Sequence, residues 1–191
     1  MFRRNRNGAL ELSIGTIVIL VIAMSMLILG LVLVRTIFTE SIYNVKQIND
    51  KVKSEIQKIF SDDNNKKLVV YLSENKAEIK QGDDWGIAFS FRNLETGTTE
   101  GMFSYNVEAV EISRGCQGLT PAQADSWIQL GKTRTGVQVP PGGTHYTVVN
   151  LRMPESTPLC SARFDISVYK GSSLTGQIYT TDFFDVVVKP K

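Results

Sequence analysis

The strongest constraint on the fold is the run from Leu12 to Val34, which contains no charged residue. At about 1.5 Å per residue a helix of this length is roughly 35 Å long, and the hydrocarbon core of a bilayer is about 30 Å thick. Arg3, Arg4 and Arg6 precede the run, and a basic cluster beside a first span tends to stay in the cytoplasm. The sequence therefore predicts a single-pass membrane protein with a cytoplasmic N-terminus and an extracellular C-terminal domain.

A cleaved secretory signal is the main alternative for this run. Its apolar region usually has about 7 to 15 residues and is followed by a cleavage site with small side chains. The segment Arg35-Thr36-Ile37-Phe38 offers no such site. We therefore expect the apolar helix to be retained.

A second helical pattern follows the apolar run. Its apolar residues recur at three- and four-residue steps and fall on one face of a helix; they are Ile42, Val45, Ile48, Val52, Ile56 and Ile59. No Gly or Pro occurs between Leu31 and Gln81, so nothing in this stretch obliges a helix to break. One continuous transmembrane and amphipathic helix over residues 9–60 is predicted.

The alternative is a break in which Thr39 or Ser41 is the N-cap of a second helix. The residues that follow Phe60 are rich in Asp and Asn, whose side chains compete for backbone hydrogen bonds and end helices. Residues 61–66 are therefore predicted to be a linker.

From Lys67 onward the apolar period changes from 3.6 to 2, as in strands with one buried face. Trp85, Ile87, Phe89 and Phe91 show this alternation, and in a later strand the apolar phase shifts by one residue at Val110, as a β-bulge would cause. About seven strands are predicted, separated by Gly- and Pro-containing turns; they cover residues 68–72, 85–91, 103–112, 127–128, 146–153, 162–168 and 178–188.

The expected fold class is therefore α+β. A long N-terminal helix is followed by an all-β immunoglobulin-like sandwich of about seven strands over residues 67–191. A small closed barrel with the same number of strands is the alternative. Trp85 and Trp127 could stack on a sugar, but at strand positions they are expected to be core residues, together with Phe89, Phe91, Phe103, Phe164 and Ile166.

The two cysteines, Cys116 and Cys160, both lie in the predicted β-domain. An oxidising exterior would allow them to form a disulfide that closes a long loop. Two separate buried thiols are the alternative.

Little in the sequence points to chemistry. Residues 61–191 carry 13 basic and 15 acidic side chains, so no basic surface for nucleic acid is expected. His145 is the only histidine, which excludes a metal site with several histidines and leaves one candidate for a Ser-His-Asp arrangement. No catalytic, cofactor-binding or metal-binding residues are predicted, and the chain is expected not to be an enzyme.

The layout of the first 60 residues resembles that of archaeal type IV pilins and archaellins, whose precursors carry a class III signal peptide. The shared features are a short basic leader, here residues 1–8, and an apolar helix that starts almost at once before a β-rich head. The segment Gly15-Thr16-Ile17-Val18-Ile19 is similar to the beginning of the archaellin core helix. The resemblance implies that a membrane peptidase cuts between Gly8 and Ala9 and that the helix is retained as the filament core.

Two positions differ from the family pattern. Asn7 precedes Gly8, where the family usually has Lys or Arg, and Glu11 would be the third residue of the mature chain instead of the fifth. After cleavage, the carboxylate of Glu11 could pair with the new amine of Ala9 on the same or a neighbouring subunit. The alternative is an interfacial glutamate that favours the helix N-terminus.

A stripe of small residues is the candidate assembly surface. Thr16, Ala23 and Gly30 follow Ala9 at steps of seven residues, so they form a nearly straight line along a helix. Close approach of backbones at small residues is one way in which membrane helices associate. On a continuous helix the stripe shares an arc with Ile42, Val45, Val52 and Ile56, which predicts one seam along the whole helix. Chance is the alternative, because small residues are common in spans.

The head resembles the immunoglobulin-like repeats of prokaryotic surface proteins, because Val139-Pro140-Pro141-Gly142-Gly143-Thr144 leads into a strand and Met153-Pro154-Glu155 follows it. The expected function is a structural subunit of an archaeal type IV pilus-like surface filament, anchored in the membrane before assembly and self-associating through its N-terminal helix. The alternative is an unpolymerised single-pass protein whose head contacts cell-surface layer proteins or a filament, as archaellum accessory proteins do.

Overall fold

The structure is a computed structural model that describes residues 7–43, 45, 47–97, 101–116 and 118–191. Within the first helix it describes the side chains of residues 15–33 only. Most of the basic leader, residues 1–6, lies outside the described residues. The chain divides into two units, Met1–Ile42 and Tyr43–Lys191, and each is described by itself.

The first unit is an apolar helix. Helix α1 spans Asn7–Tyr43, and every described side chain from Gly15 to Leu33 is exposed. The one polar hydroxyl in the middle of this stretch, Ser25 Oγ, donates a hydrogen bond to the carbonyl of Val21 at 2.7 Å. Among the described residues, Gly15–Leu33 is the one helical stretch long and apolar enough to cross a membrane, and a signal sequence can have the same form.

The second unit, which we call the head, is mostly β-structure. It contains helix α2 (Asp50–Asp62), a short helix α3 (Pro121–Asp125) and a 3-10 turn at Ser73–Asn75. The strands are β1 (Leu68–Val70), β2 (Lys76–Lys80), β3 (Asp84–Arg92), β4 (Gly101–Ile112), β5 (Ile128–Leu130), β6 (Thr133–Val139), β7 (Thr144–Arg152), β8 (Ser161–Lys170) and β9 (Ile178–Lys189).

The strands form two sheets that face each other. The four-stranded sheet has the order β1-β3-β7-β5 and the five-stranded sheet the order β2-β9-β8-β4-β6. All neighbouring strands are antiparallel except β2 and β9, which are parallel. The sheets meet through side chains such as Phe89 and Tyr105, whose ring centroids are 5.2 Å apart with the rings edge to face.

The described head has nine strands instead of about seven. The two strands that the sequence did not predict, β2 and β6, lie at the two edges of the five-stranded sheet. In β2 the outward residues are charged, and β6 exposes most of its side chains. β2 does alternate, with Ala77 and Ile79 buried, but it has one large apolar residue in five. β6 buries only Val137 and Val139, so both period-2 patterns are too short to detect.

The predicted core is largely confirmed. Phe89, Phe91, Phe103, Phe164 and Ile166 are all at most 1% exposed, and Trp127 is also buried. Trp85 is the exception, because it is only partly buried and packs at the periphery of the core. The predicted bulge is also present, since the pairing of β4 with β8 shifts register between Ala109 and Glu111.

The helix is not continuous over residues 9–60, so this prediction is wrong for the structure. Helix α1 ends at Tyr43 and α2 begins after Asn49, whose side chain accepts a hydrogen bond from the amide of Val52 at 2.9 Å. Between the two helices, the amide of Val45 donates to the carbonyl of Gly86 in β3 at 2.7 Å. The alternative of a break is therefore right, but the N-cap is Asn49 and not Thr39 or Ser41.

The apolar face of α2 packs on the outer face of the four-stranded sheet. Its buried residues are Val52, Ile56 and Phe60, which join Val45, Val69, Tyr71 and Ala88 in a second apolar cluster. The guanidinium of Arg92 lies over the ring of Phe60, 4.5 Å from its centroid. The folded head therefore includes α2 and begins near Tyr43, well before residue 67.

The packing of α2 also overturns part of the predicted seam, which was expected to run along the whole N-terminal helix. Val45, Val52 and Ile56 are at most 7% exposed inside their own head. They cannot extend the small-residue stripe of α1 toward another subunit in this structure. The part of the seam that remains available is the part on α1.

The predicted disulfide is present. Cys116 and Cys160 are bonded, with their Cα atoms 5.2 Å apart. The bridge joins the loop after β4 to the start of β8, and the amide of Ser113 donates to the carbonyl of Ser161 beside it at 2.9 Å. Both cysteines are buried, so the bond is shielded from solvent reductants.

A fragment of residues 43–191 is expected to be more stable than a fragment of residues 67–191. The shorter fragment lacks α2 and exposes the apolar side chains of Val69 and Tyr71, and each large side chain of α2 contributes about 1.5 to 3 kcal/mol when buried. The expected loss in the free energy of unfolding is roughly 5 kcal/mol, measured by urea denaturation. Within the longer fragment, Ile56→Ala should cost about 2 to 5 kcal/mol, whereas Gln57→Ala on the exposed face should be neutral. Equal stability of the two fragments would show that α2 does not support the sheet.

Candidate functional site

The stripe of small residues lies on the exposed surface of α1. Thr16, Ala23 and Gly30 are all exposed, and a spacing of seven residues turns only about 20° from a straight line per step. At Gly30, apart from the helix's own backbone, no atom of a described residue lies within 4 Å of the position that a Cβ would occupy. The stripe is therefore an uncovered line of small residues along which another helix could approach closely.

The predicted processing residues lie at the start of the same helix. Gly8 and Ala9 fall inside α1, and so does Glu11, but their side chains lie outside those that the structure describes. Cleavage between Gly8 and Ala9, and the pairing of Glu11 with a new amine, stay predictions.

The single histidine is half-buried and faces the aromatic side chains between the two sheets. The ring of His145 lies 5.3 Å from that of Phe91 and 6.4 Å from that of Tyr105, between ring centroids. Its Nε2 atom is buried and has no hydrogen-bond partner among the described residues. Burial, together with the positive charge of Arg134, lowers the pKa of His145 to about 4. The imidazole is therefore neutral near pH 7, and its ring packs against aromatic side chains of the core.

One carboxylate outside the turns has an unusual environment. Burial raises the pKa of Asp182, although its side chain accepts hydrogen bonds from the amide of Phe183 at 2.9 Å and from Asn75 Nδ2 at 3.2 Å. Both partners are structural groups that fix the chain around the 3-10 turn. Among the described residues, no group of three or more His, Cys, Asp or Glu side chains could hold a metal ion.

A charged groove runs across the outer face of the five-stranded sheet, with a volume of about 340 Å³. In register across four strands, its central row is Glu111, Arg163, Asp185 and Lys76. Arg163 Nε and Nη2 donate to the two carboxylate oxygens of Asp185 at 2.8 and 3.0 Å. Because the charges alternate in sign, the row is neutral overall, as on a solvated sheet face stabilised by cross-strand pairs.

A second groove, of about 350 Å³, lies at the edge of the four-stranded sheet where β5 pairs with β7. Its lining includes Asp84, Asn150 and Arg152, and the shortest distance between Arg152 and Asp84 is 3.9 Å. Trp85 also lines it, with a buried indole Nε1 that has no hydrogen-bond partner among the described residues. Among the described residues that line them, neither groove combines a nucleophile with a base that a third group orients.

Two structural residues were not recognisable from the sequence. Tyr179 joins the sheets, because its hydroxyl donates to the carbonyl of Arg92 at 3.0 Å and accepts from the amide of Leu94 at 2.9 Å. Gly86 lies directly under the main chain of Val45, and a Cβ there would be 1.9 Å from the Val45 carbonyl oxygen. Both roles depend on contacts between distant segments, which no local pattern encodes.

Comparison with known proteins gives no relationship that assigns a function. No protein-family model matches the chain, and no curated protein matches it. Among solved structures, the ASH/PapD-like domain of human CEP192 has 9% identity and a TM-score of 0.39, over 65% of this chain and 85% of that one. A family 123 glycoside hydrolase from Clostridium perfringens has 10% identity and a TM-score of 0.38, over 71% of this chain and 25% of that one. The DNA glycosylase AlkC of Pseudomonas fluorescens has 11% identity and a TM-score of 0.34, over 63% and 30%. These likenesses are too low to support an argument.

The head should lose stability as the pH falls from 6.5 toward 4. The unfolded chain binds a proton at His145 with a pKa near 6.5, whereas the folded head resists protonation until about pH 4. The contribution of the neutral imidazole to the free energy of unfolding is therefore fully present above pH 6.5. As the pH falls below 6.5 this contribution is lost progressively, and the total loss is on the order of 2 to 3 kcal/mol.

Carboxylates titrate in the same range, so the measurement is the difference between wild type and His145→Phe, in which a neutral ring fills the same aromatic site. Free energies of unfolding between pH 7 and 4 should fall more steeply in the wild type. Parallel curves would mean that His145 does not resist protonation.

Proposed function

We propose that the chain is a structural, non-enzymatic subunit of an archaeal type IV pilus-like surface filament. It is anchored in the membrane before assembly, and its helices α1 are bundled in the filament core afterwards. The head is an extracytoplasmic immunoglobulin-like β-sandwich that lies on the outside.

The observation that carries the proposal is the exposed apolar surface of α1. Nineteen residues, Gly15–Leu33, form one apolar stretch of helix. Its large side chains are exposed; Met26, for example, is 70% exposed and Leu29 is 69% exposed. Water is a poor solvent for such a surface. Lipid would cover this surface before assembly, and neighbouring helices would cover it afterwards. The small-residue stripe would allow those helices to approach closely.

The head supports an extracytoplasmic location. The disulfide between Cys116 and Cys160 is typical of oxidising compartments. Two facing sheets of short antiparallel strands, with aromatic side chains between them, are also what an immunoglobulin-like sandwich requires. The edge strand β2 pairs in parallel with β9. A sandwich can accommodate one parallel strand at a sheet edge, so this pairing is compatible with the proposed immunoglobulin-like fold.

The second candidate is an unpolymerised, membrane-anchored module whose head binds a cell-surface layer protein or a filament. The packing of α2 favours it, because the apolar face of α2 is buried in its own head and is not offered to another subunit. A single anchor needs only α1. The two candidates therefore differ in whether α1 contacts other copies of itself.

Substitution at the stripe separates the two candidates. Gly30→Leu should reduce the crosslinking yield between copies and the number of filaments per cell by about tenfold or more, because a leucine side chain holds the two backbones apart at a contact that recurs along the assembly. Leu29→Ile, at a position turned about 100° or more around the helix from every residue of the stripe, keeps the side-chain volume and should be silent. If the variant Gly30→Leu assembles as the wild type does, α1 is not the filament contact.

The intact mass of the membrane-extracted protein tests processing directly. Loss of residues 1–8 favours the filament subunit, and the full length favours the unpolymerised module. Loss of everything to about Phe38 would rule out both, because the anchor would then be a cleaved signal.

A further inference from the structure

One side of the head has a sheet edge that the neighbouring strand covers only in part. Strand β7 pairs with β3 along its whole length, from Thr144 to Arg152, without a register shift. On the other side of β7, the short strand β5 pairs only with Asn150 and Leu151. Among the described residues, no strand pairs with the first part of β7 on this side. An unpaired edge presents main-chain N–H and C=O groups to which a further strand can bond.

The hydrogen bonds at the end of β7 show which of its residues face the open side. The amide of Arg152 donates to the carbonyl of the residue just before β5 at 2.8 Å. Along an antiparallel strand the main-chain groups of alternate residues point to the same side, so those of Tyr146 and Thr144 also face the side of β5. No described main-chain group bonds to them there. The open stretch ends at Val148, whose carbonyl oxygen would be 2.2 Å from a Cβ added to Gly131.

The side chains beside this open edge include polar groups without partners. The Nε2 atom of His145 is buried and has no hydrogen-bond partner among the described residues. Arg134 of β6 lies opposite Tyr105 of β4, which is buried in the core, and opposite residues of neighbouring strands share a face. The exposed Arg134 makes no hydrogen bond or ion pair with another described residue, and its positive charge acts on the His145 ring. An unmatched positive charge therefore lies next to an unpartnered imidazole nitrogen.

We propose that the open edge of β7 is a docking site for an extended, acidic peptide of a partner protein. The peptide joins the four-stranded sheet as a strand in line with β5, and its main chain bonds to Thr144 and Tyr146. The peptide residue opposite His145 points inward, as His145 does, and there a carboxylate accepts hydrogen bonds from Arg134. The main-chain bonds supply affinity and the carboxylate supplies specificity. The site lies within the head, so this inference goes beyond the proposed function and does not depend on polymerisation.

The charges at the edge favour such a peptide over a second copy of the same edge. Residues 144–148 contain no acidic side chain, so two copies joined edge to edge would supply no carboxylate. They would also bring two unmatched Arg134 side chains to one interface, and like charges brought together across strands are destabilising. The open stretch is about 13 Å long, at roughly 3.3 Å per residue, which is enough for a peptide strand of about four residues.

Amide hydrogen exchange, read by NMR on the full chain in lipid nanodiscs, tests the edge before any ligand is added. The amide of Tyr146 should exchange at least about tenfold faster than that of Thr147, which faces β3 and is bonded within the sheet. Equal protection of the two amides would show that the edge is already covered, and the proposal would be wrong. Protection of Tyr146 that rises with protein concentration would mean that a second copy covers the edge, which also contradicts the proposal.

A phage-displayed library of random peptides of about ten residues is the ligand probe, with empty nanodiscs as the counter-selection. The selected peptides should share Asp or Glu at one fixed position. A synthetic copy should protect the Tyr146 amide from exchange, and methylation of alternate amide nitrogens in the peptide should weaken binding roughly tenfold. Enrichment of no peptide, or of peptides without an acidic position, would overturn the proposal.

Variants of Arg134 test the specificity contact. Arg134→Glu should weaken binding of the selected peptide by about tenfold or more, whereas Arg134→Lys keeps the charge and should retain most of the affinity. Lys58→Glu, on the exposed face of α2, makes the same change in net charge and should be silent. Arg134 is exposed, so its variants should fold as the wild type does. If wild type and Arg134→Glu bind the peptide equally well, the edge of β7 is not the acidic-peptide site.

Discussion

The head depends on the burial of β3 on both of its faces. Ile87, Phe89 and Phe91 point into the core between the two sheets, and the intervening Ala88 and Ser90 are buried on the opposite side. A strand in an antiparallel sheet commonly leaves one face to water, so the outer face of this sheet needs a cover. Helix α2 and the chain at Val45 supply it. The head is thus a three-layered body, in which the sheet that carries β3 lies between a helix and the second sheet.

The burial of β3 on both faces explains which of its buried residues could be predicted from the sequence and which could not. The alternation of large apolar residues along β3 correctly predicted which side chains form the core, and the phase shift near Val110 correctly predicted a bulge. The small residues Gly86 and Ala88 between them look like a solvent-facing side. They are small because a helix and a main chain pack against them. The sequence pattern shows only which residues are polar, apolar or small. A small residue that faces water therefore looks the same as one that makes room for another segment.

The break between the helices was missed for a related reason. The apolar spacing through Val45 and Ile48 is real, because Val45 is buried and Ile48 packs against the same apolar cluster. Helical periodicity specifies only that a face is apolar, while the sheet that covers that face is formed by residues 20 or more positions later. The disulfide was easier to anticipate, since two cysteines allow one pairing and the domain had a plausible oxidising location. The residues of the small-residue stripe could be named from the sequence alone, because helical spacing is sufficient to place them on one line.

The division of apolar surface between the two units bears on function. The head buries most of its apolar residues, including those of α2, although a few large ones such as Leu130, Leu159 and Ile178 are exposed. The outer face of its five-stranded sheet carries the alternating charges of Glu111, Arg163, Asp185 and Lys76. Helix α1 does the reverse, since its described side chains are nearly all apolar and all exposed. Gly15–Leu33 is therefore the longest exposed apolar stretch among the described residues, and it is the surface with most to gain from apolar burial. Charged surfaces such as the outer sheet face confer specificity more readily than affinity. If the chain assembles as proposed, apolar burial on α1 would supply the affinity.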